Sequence, residues 1–350
     1  MKTVKGLHDK MYTFDNANTS FHQAARCKRY TNEVLAFSMV KEEELLRATE
    51  EIQNLTYRQG EYKIFKVFEP KERLIMALPF YDRVVQHMIC NAIQPVFENG
   101  FYYHSYACRS GKGMHAASDT LYQWMYETEV KQGLRMYAFK GDISKYFASI
   151  PHDKLKDENR RYIGDKKALM LMDDIIDHNG ILPDGVGIPV GNLTSQLFAN
   201  VYGNKLDKFC KHVLHIPYFV RYMDDFIILS DDLEQLKEWV KRIEEFLENE
   251  MLLHINPKST ILYAGNGIDF CGYIHHPNYR KVRKASVRRL KNDVKHLEAG
   301  ELDKETFTRK YESRLGHMSH ADTYHVTKSI EYELLFWEWE QTQNGIMLPT

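Results

Sequence analysis

Phe219-Val-Arg-Tyr-Met-Asp-Asp-Phe-Ile-Ile-Leu-Ser230 reads as two short strands, Tyr218 to Tyr222 and Phe226 to Leu229, joined by an acidic turn at Met223-Asp224-Asp225. β-Branched and aromatic residues on both sides of a two- or three-residue turn are the pattern of a hairpin. Upstream, Arg135 to Phe139 is a short apolar strand that ends at Gly141-Asp142. Bare carboxylates at the ends of buried strands are costly unless a cation neutralises them. Hard divalent cations, which prefer oxygen ligands, are the usual remedy. If the Asp142 strand lies beside the hairpin, Asp142 and Asp224 bracket a pair of Mg²⁺ ions about 3.5 to 4 Å apart, the clamp used for in-line phosphoryl displacement. Taken alone, an Asp-Asp turn is more often simply a polar hairpin tip, as at Asp231-Asp232.

Outward from this core the pattern mixes strands and helices. Glu42 to Leu55 is a helix with Leu45, Ala48, Ile52 and Leu55 on one face. Tyr62 to Phe68 and Arg73 to Leu78 form a second hairpin around Glu69-Pro70-Lys71-Glu72, with basic residues along one edge. Tyr81 to Val96 is helical, and Gly111-Lys112-Gly113 breaks the chain before a helix from Met114 to Tyr126. Asp232 to Phe246 is an amphipathic helix with an acidic outer face, and Ile268 to Tyr273 a further strand. Beyond it only helices follow: one marked by Val287, Leu290, Val294 and Leu297 and stopped at Gly300, another from Tyr324 to Trp339. The fold class is α+β with a helical C-terminal part.

With 350 residues, 43% apolar and 13% aromatic, the chain has the makings of a sizeable core and is neither a stapled mini-protein nor a disordered chain. No run of about 18 apolar residues suggests a membrane span, and no apolar leader follows the first residues, so the expected address is cytoplasmic. The five cysteines are odd in number and lack C-x-x-C spacing, so they are expected reduced and packed. A net charge of −1 hides segregation: Arg280 to Lys295 carries eight basic residues and one acid, Asp231 to Glu250 eight acids and three bases. Such stripes suit a protein that holds a polyanion on one side, or two solvated helix faces. Gly111-Lys112-Gly113 lacks the Walker pattern, which excludes a P-loop ATPase, and the histidines show no H-E-x-x-H zinc motif.

The acidic hairpin resembles the Y-x-D-D box of reverse transcriptases, and Phe139-Lys-Gly-Asp-Ile-Ser-Lys-Tyr-Phe-Ala-Ser-Ile-Pro-His152 resembles their first aspartate motif. Between them, Gly187-Ile-Pro-Val-Gly-Asn-Leu-Thr-Ser-Gln-Leu-Phe-Ala-Asn200 looks like the family's template-and-nucleotide segment, and Arg109-Ser-Gly-Lys-Gly113 like its phosphate-facing loop. With Glu69-Pro-Lys-Glu-Arg73, which looks like the fingers hairpin that contacts the incoming triphosphate, five such motifs fall in the family's order between Tyr62 and Tyr273. Val190-Gly-Asn-Leu-Thr-Ser-Gln196, Asp82-Arg-Val-Val-Gln-His87 and Ser105-Tyr-Ala-Cys-Arg-Ser-Gly-Lys-Gly113 are similar to the reverse transcriptases of diversity-generating retroelements, which copy a template RNA with errors at adenines.

The resemblance implies a right-hand polymerase fold: fingers over residues 1–135 and about 152–185, a palm with an antiparallel ferredoxin-like sheet over 136–278, and a helical thumb over 279–350. It makes Asp142, Asp224 and Asp225, with the backbone of Ile143, the ligands of two Mg²⁺ ions, for which Mn²⁺ is a substitute, and Lys258 the acid that protonates pyrophosphate. Lys71 and Arg73 would hold the triphosphate, Arg as a bidentate fork. Phe147 would exclude a ribose 2′-hydroxyl, and Val190, Gly191 and Gln196 would border the nucleotide. Where many relatives carry Gln, Val190 cannot hydrogen-bond, so discrimination between bases should weaken. Arg109, Lys112, Gly272 and the helix residues Arg288, Arg289, Lys291 and Lys295 would meet the nucleic-acid backbone, with Gly272 in a primer-grip turn at Phe270-Cys-Gly-Tyr273. The implied partners are template RNA, a primer or cDNA strand, dNTPs and a small basic accessory protein that forms a pentamer, with no membrane. Rival readings are a reverse transcriptase of antiphage defence and an RNA-binding scaffold that no longer polymerises.

Overall fold

A computed structural model describes residues 3–68 and 72–343. Its strands are β1 (Lys63–Val67), β2 (Arg73–Ala77), β3 (Tyr137–Asp142), β4 (Tyr218–Tyr222), β5 (Asp225–Ser230), β6 (Thr260–Tyr263), β7 (Ile268–Phe270), β8 (Tyr273–His275) and β9 (Arg280–Val282). They form three sheets, β1-β2, β4-β5-β3-β6 and β7-β8-β9. In the antiparallel β1-β2 hairpin Lys63 faces Ala77 and Val67 faces Arg73. The run Phe226-Ile-Ile-Leu229 is buried throughout, as an interior strand covered on both faces requires. Gly141 is explained by its neighbour: a Cβ there would run into the Phe226 ring. Absence of a side chain is what lets the end of β3 approach the start of β5.

The chain folds into two compact units. The first comprises Met1–Gly113, Gly141–Phe226 and Lys237–Thr260, the second Met114–Lys140, Ile227–Leu236 and Ile261–Thr350. In the first, helix Phe80–Glu98 buries Val84, Val85, Met88, Ile89, Ile93 and Phe97, and helices Phe14–Ala24 and Leu193–Lys208 pack on it. The helix Leu193–Lys208 is buried nearly all round, so its polar residues need partners. Asn200 donates to the Ala107 carbonyl (2.7 Å), Asn204 to that of Gly100 (2.9 Å), and Asp207 pairs with Arg221. The second unit centres on Tyr273, Val282, Leu290, Val294, Leu297, Phe307, Met318 and Ile330, contributed by β8, β9 and the helices Lys284–Glu298, Lys304–Met318 and Tyr324–Gln343. The first of these helices ends before Gly300, whose φ of 72° supplies the left-handed residue that commonly closes a helix.

Several sequence expectations need correction. The single strand read over Ile268 to Tyr273 is two strands, because Cys271 (φ 48°) and Gly272 (φ 87°) reverse the chain in a two-residue loop. Both loop residues have positive φ, the geometry that matches the twist of a tight hairpin. Helix Lys304–Met318, unmarked in the sequence reading, starts at Asp303, whose carboxylate accepts the Thr306 amide (2.8 Å). None of the five cysteines forms a disulfide; Cys90 and Cys210 are buried, but Cys27 and Cys108 are exposed rather than packed. Among the described residues no helix is long and apolar enough to cross a membrane.

Candidate active site

The acidic residues converge in the first unit. Asp142 closes β3, where its amide donates to Ser259 Oγ (3.1 Å) and its carbonyl accepts the Asn256 amide (2.7 Å). The side-chain amide of Asn256 donates to Asp142 Oδ2 (2.7 Å), while its Oδ1 accepts the backbone amide of Lys258 (3.1 Å). One side chain thus sets both the Asp142 carboxylate and the start of the Lys258 turn; the Lys258 side chain is exposed. The Ile143 amide donates to the Asp224 carbonyl (3.2 Å), and Ser144 to that of His254 (2.9 Å). These bonds sew residues 142–144, Asp224 and residues 254–259 together.

Burial pushes the Asp224 carboxyl above its ordinary range, and the charge of Asp142 pushes the same way; its own amide, Arg73 and Arg221 pull it down. A half-buried carboxylate within reach of another's charge is a group that a cation relieves. Among the described residues no group of three or more His, Cys, Asp or Glu side chains forms a metal cage. A hard divalent cation can be held by one or two carboxylates, with its shell completed by substrate phosphates and water. Asp142 and Asp224, with the backbone of Ile143, are a hard-oxygen donor set of that kind. Asp225, half-buried, begins β5.

Beside the acids, the segment carrying Val190 is tied to two elements. The Gly187 and Ile188 amides donate to the carbonyls of Ile150 and Phe147 (both 2.8 Å), and the Val190 carbonyl accepts the Met76 amide of β2 (3.0 Å). Gly191 (φ 120°) is required: a Cβ would lie 3.1 Å from Ile75 and 3.2 Å from the Met76 carbonyl oxygen. Asn192 donates to the Tyr62 hydroxyl (3.1 Å), and Gln86 Oε1 accepts the Leu193 amide (3.2 Å), one of the donors a helix start leaves unpaired. Phe147 and Gln196 are half-buried and Arg73 is exposed. Lys71 lies outside the described residues.

Residues 66–275, well over half of the chain, match the family described as reverse transcriptase (RNA-dependent DNA polymerase). The chain belongs to this family. Among curated proteins this reverse transcriptase-family chain is similar to Protein YkfC of Escherichia coli (strain K12), 25% identical over 251 residues, 59% of this chain and 62% of that one. It is also similar to an uncharacterized 91 kDa protein in a cob intron of Schizosaccharomyces pombe, 29% identical over 38% of this chain and 16% of that one. A putative COX1/OXI3 intron 2 protein of Saccharomyces cerevisiae is 22% identical over 55% of this chain and 29% of its own length. The chain therefore spans less than two thirds of each of these relatives. Telomerase from Candida albicans, solved in complex with a TWJ fragment of telomeric RNA, superposes with a TM-score of 0.48 at 14% identity, covering 81% of this chain and 60% of that one.

For a family whose substrates are polyanions, the free basic residues matter. Arg109 is not among them: its guanidinium donates to Glu98 (2.7 Å) and to the Tyr102 and Ser105 carbonyls (2.7 and 2.6 Å), and its side chain is 6% exposed. The expectation that it faces phosphate is corrected, since the side chain is nearly enclosed and its Nε and Nη1 donors are engaged within the fold. Lys112 stays at the surface, its ammonium 3.4 Å from the Tyr103 ring centre. Arg288, Arg289, Lys291 and Lys295 are all exposed, whereas the acid among them, Asp293, is buried against Arg314 (2.6 Å). A Cβ at Gly272 would meet His317 (3.1 Å) and Met114 (3.2 Å), so its bare face is turned to its own unit.

Sequence reasoning missed Asn256, although it stands two residues before Lys258, and Arg221, although a lone arginine in an apolar strand signals a buried charge that must be paired.

Proposed function

We propose that the chain is an RNA-directed DNA polymerase that makes cDNA from a template RNA, of the diversity-generating retroelement type and error-prone at adenines. The observation that carries the polymerase reading is the meeting of Asp142 and Asp224 through the Ile143–Asp224 backbone bond in a chain of this family. Two Mg²⁺ ions, held by Asp142, Asp224 and the Ile143 backbone with Asp225 beside them, would supply Lewis-acid activation of the primer 3′-hydroxyl and neutralise the triphosphate. The protein's own groups do the rest. Arg73 pairs with the triphosphate, Phe147 crowds a ribose 2′-hydroxyl, and Lys258, exposed beside the acids, gives a proton to the leaving pyrophosphate.

Val190 supports the error-prone reading. Its carbonyl is anchored to Met76, so the residue that borders the base is held in place yet offers only an apolar side chain. The acidic outer face of helix Leu233–Glu250, with Glu234, Glu238, Glu244, Glu245 and Glu248 exposed, suits a basic accessory protein. The test is primer extension on adenine-rich and adenine-free RNA with Mg²⁺ or Mn²⁺, sequencing the cDNA. Expected are dNTP incorporation and errors concentrated opposite adenine. Uniform accuracy would refute the retroelement reading, and no incorporation would refute the polymerase reading.

A further inference from the structure

Beneath the acidic turn lies an ion pair that the proposed chemistry does not use. Arg221 and Asp207 are both 0% exposed, and the guanidinium grips the carboxylate at two points, Nε to Oδ1 (2.6 Å) and Nη2 to Oδ2 (2.7 Å). Its remaining donors reach elsewhere: Nη2 to Ser105 Oγ (3.0 Å) and Nη1 to the Met223 carbonyl (2.8 Å). Asp207 comes from helix Leu193–Lys208, and the same helix makes room at Gly203, where a Cβ would fall 2.7 Å from Arg221 Nη1 and 2.9 Å from the Tyr146 hydroxyl.

The Met223 carbonyl is the decisive partner. Met223 has φ 61°, a left-handed conformation that a residue with a side chain adopts only when its surroundings hold it. Its carbonyl belongs to the same planar peptide as the Asp224 amide, from which the Asp224 backbone and side chain continue. Fixing one end of a trans peptide fixes the direction of the other. We infer that Arg221, anchored by Asp207, is a positioning residue of the polymerase site: by holding the Met223 carbonyl it sets the peptide plane that aims the Asp224 carboxylate at the reacting phosphate. Asp207 makes no bond to the turn; it is the counter-charge that lets the guanidinium stay buried.

This inference rests on the polymerase reading, and the experiment separates the two. Arg221→Lys keeps the charge but loses the planar fork. A second variant, Arg221→Met with Asp207→Leu, replaces the pair by apolar side chains, an exchange that buried ion pairs often tolerate in stability. Both are compared with the wild-type chain by thermal melting, by single-turnover dNTP incorporation, and by Mn²⁺ binding to the protein alone, read by electron paramagnetic resonance. In both folded variants the incorporation rate falls by about 100-fold and Mn²⁺ affinity by about 10-fold, with the Kd for dNTP little changed. A folded double variant with the wild-type rate and Mn²⁺ affinity would overturn the proposal, as would failure of both variants to fold, which would make the pair part of the core alone. A wild-type chain that binds Mn²⁺ but incorporates nothing would instead overturn the polymerase reading.

Discussion

Two tight turns, one in each unit, depend on left-handed residues and are held in opposite ways. The turn at Met223 (φ 61°) is clamped by a buried charge pair, Arg221 and Asp207, in which every charge has a partner. The turn at Cys271 and Gly272 leads into a strand held by neutral imidazoles. There Arg280 donates to Ser118 Oγ (2.6 Å), which lies 2.7 Å from His275 Nε2, while His275 Nδ1 faces the Ile268 carbonyl (3.1 Å). The Ile268 carbonyl can only accept, so Nδ1 carries the proton; Nε2 of the neutral imidazole is then the acceptor, and the Ser118 hydroxyl donates to it. Next to it, the Tyr273 hydroxyl donates to the His317 carbonyl (2.8 Å) and meets Nδ1 of both His115 and His317 (3.0 Å each). A turn that must keep a carboxylate aimed is fixed by groups that stay charged around neutrality, whereas a turn that supports a hydrophobic core is fixed by groups that titrate.

The largest expected break between the two is in their response to acid. Burial pushes His275 down to about 4, with the charge of Arg280 adding to it. Because the unfolded chain holds the proton more tightly, this histidine's contribution is fully present above about pH 6.5 and is lost as the pH falls towards 4; a shift of that size corresponds to at most about 3 kcal/mol. Urea unfolding of the full chain, followed by tryptophan fluorescence at pH 7 and pH 5, should show stability falling with acid in the wild type and much less in His275→Gln. Equal pH dependence in both would remove the contrast.

A smaller effect sharpens the other half. Exchanging a glycine for alanine in a helix ordinarily stabilises by about 1 kcal/mol. At Gly203 the new methyl meets the Arg221 guanidinium and the Tyr146 hydroxyl, so Gly203→Ala should instead destabilise by about 1 to 2 kcal/mol. Thermal melting checks the sign, and a rise in melting temperature would mean that the guanidinium has room to spare.

What was legible in the sequence was local. The carboxylates at strand ends, the alternation of the β1-β2 hairpin and the continuous apolar run of β5 carry their meaning in neighbouring residues, and the structure places Asp142 beside Asp224 as that reading demanded. Long-range pairing was not legible. Asn256 acquires its role from a residue 114 positions away, and nothing next to it marks it as a partner of Asp142. Arg109 shows the reverse error: its sequence displays a charge beside glycine and lysine, but only the fold reveals that Glu98 and two carbonyls engage its Nε and Nη1 and that the side chain is enclosed. The strand pattern alone ran β7 and β8 together because Cys271 adopts a left-handed conformation without being a residue that favours one; the resemblance puts a turn at Phe270-Cys-Gly-Tyr273.

The most direct test of the whole account is single-turnover dNTP incorporation on an RNA template by Asp224→Asn, a near-isosteric change that removes one negative charge from the acid pair. The account predicts a fall in rate of at least about 1,000-fold, equivalent to about 4 kcal/mol of transition-state stabilisation, with the melting temperature held or raised because a buried like-charge repulsion is relieved. Incorporation within a few-fold of the wild-type rate by the folded variant would contradict it.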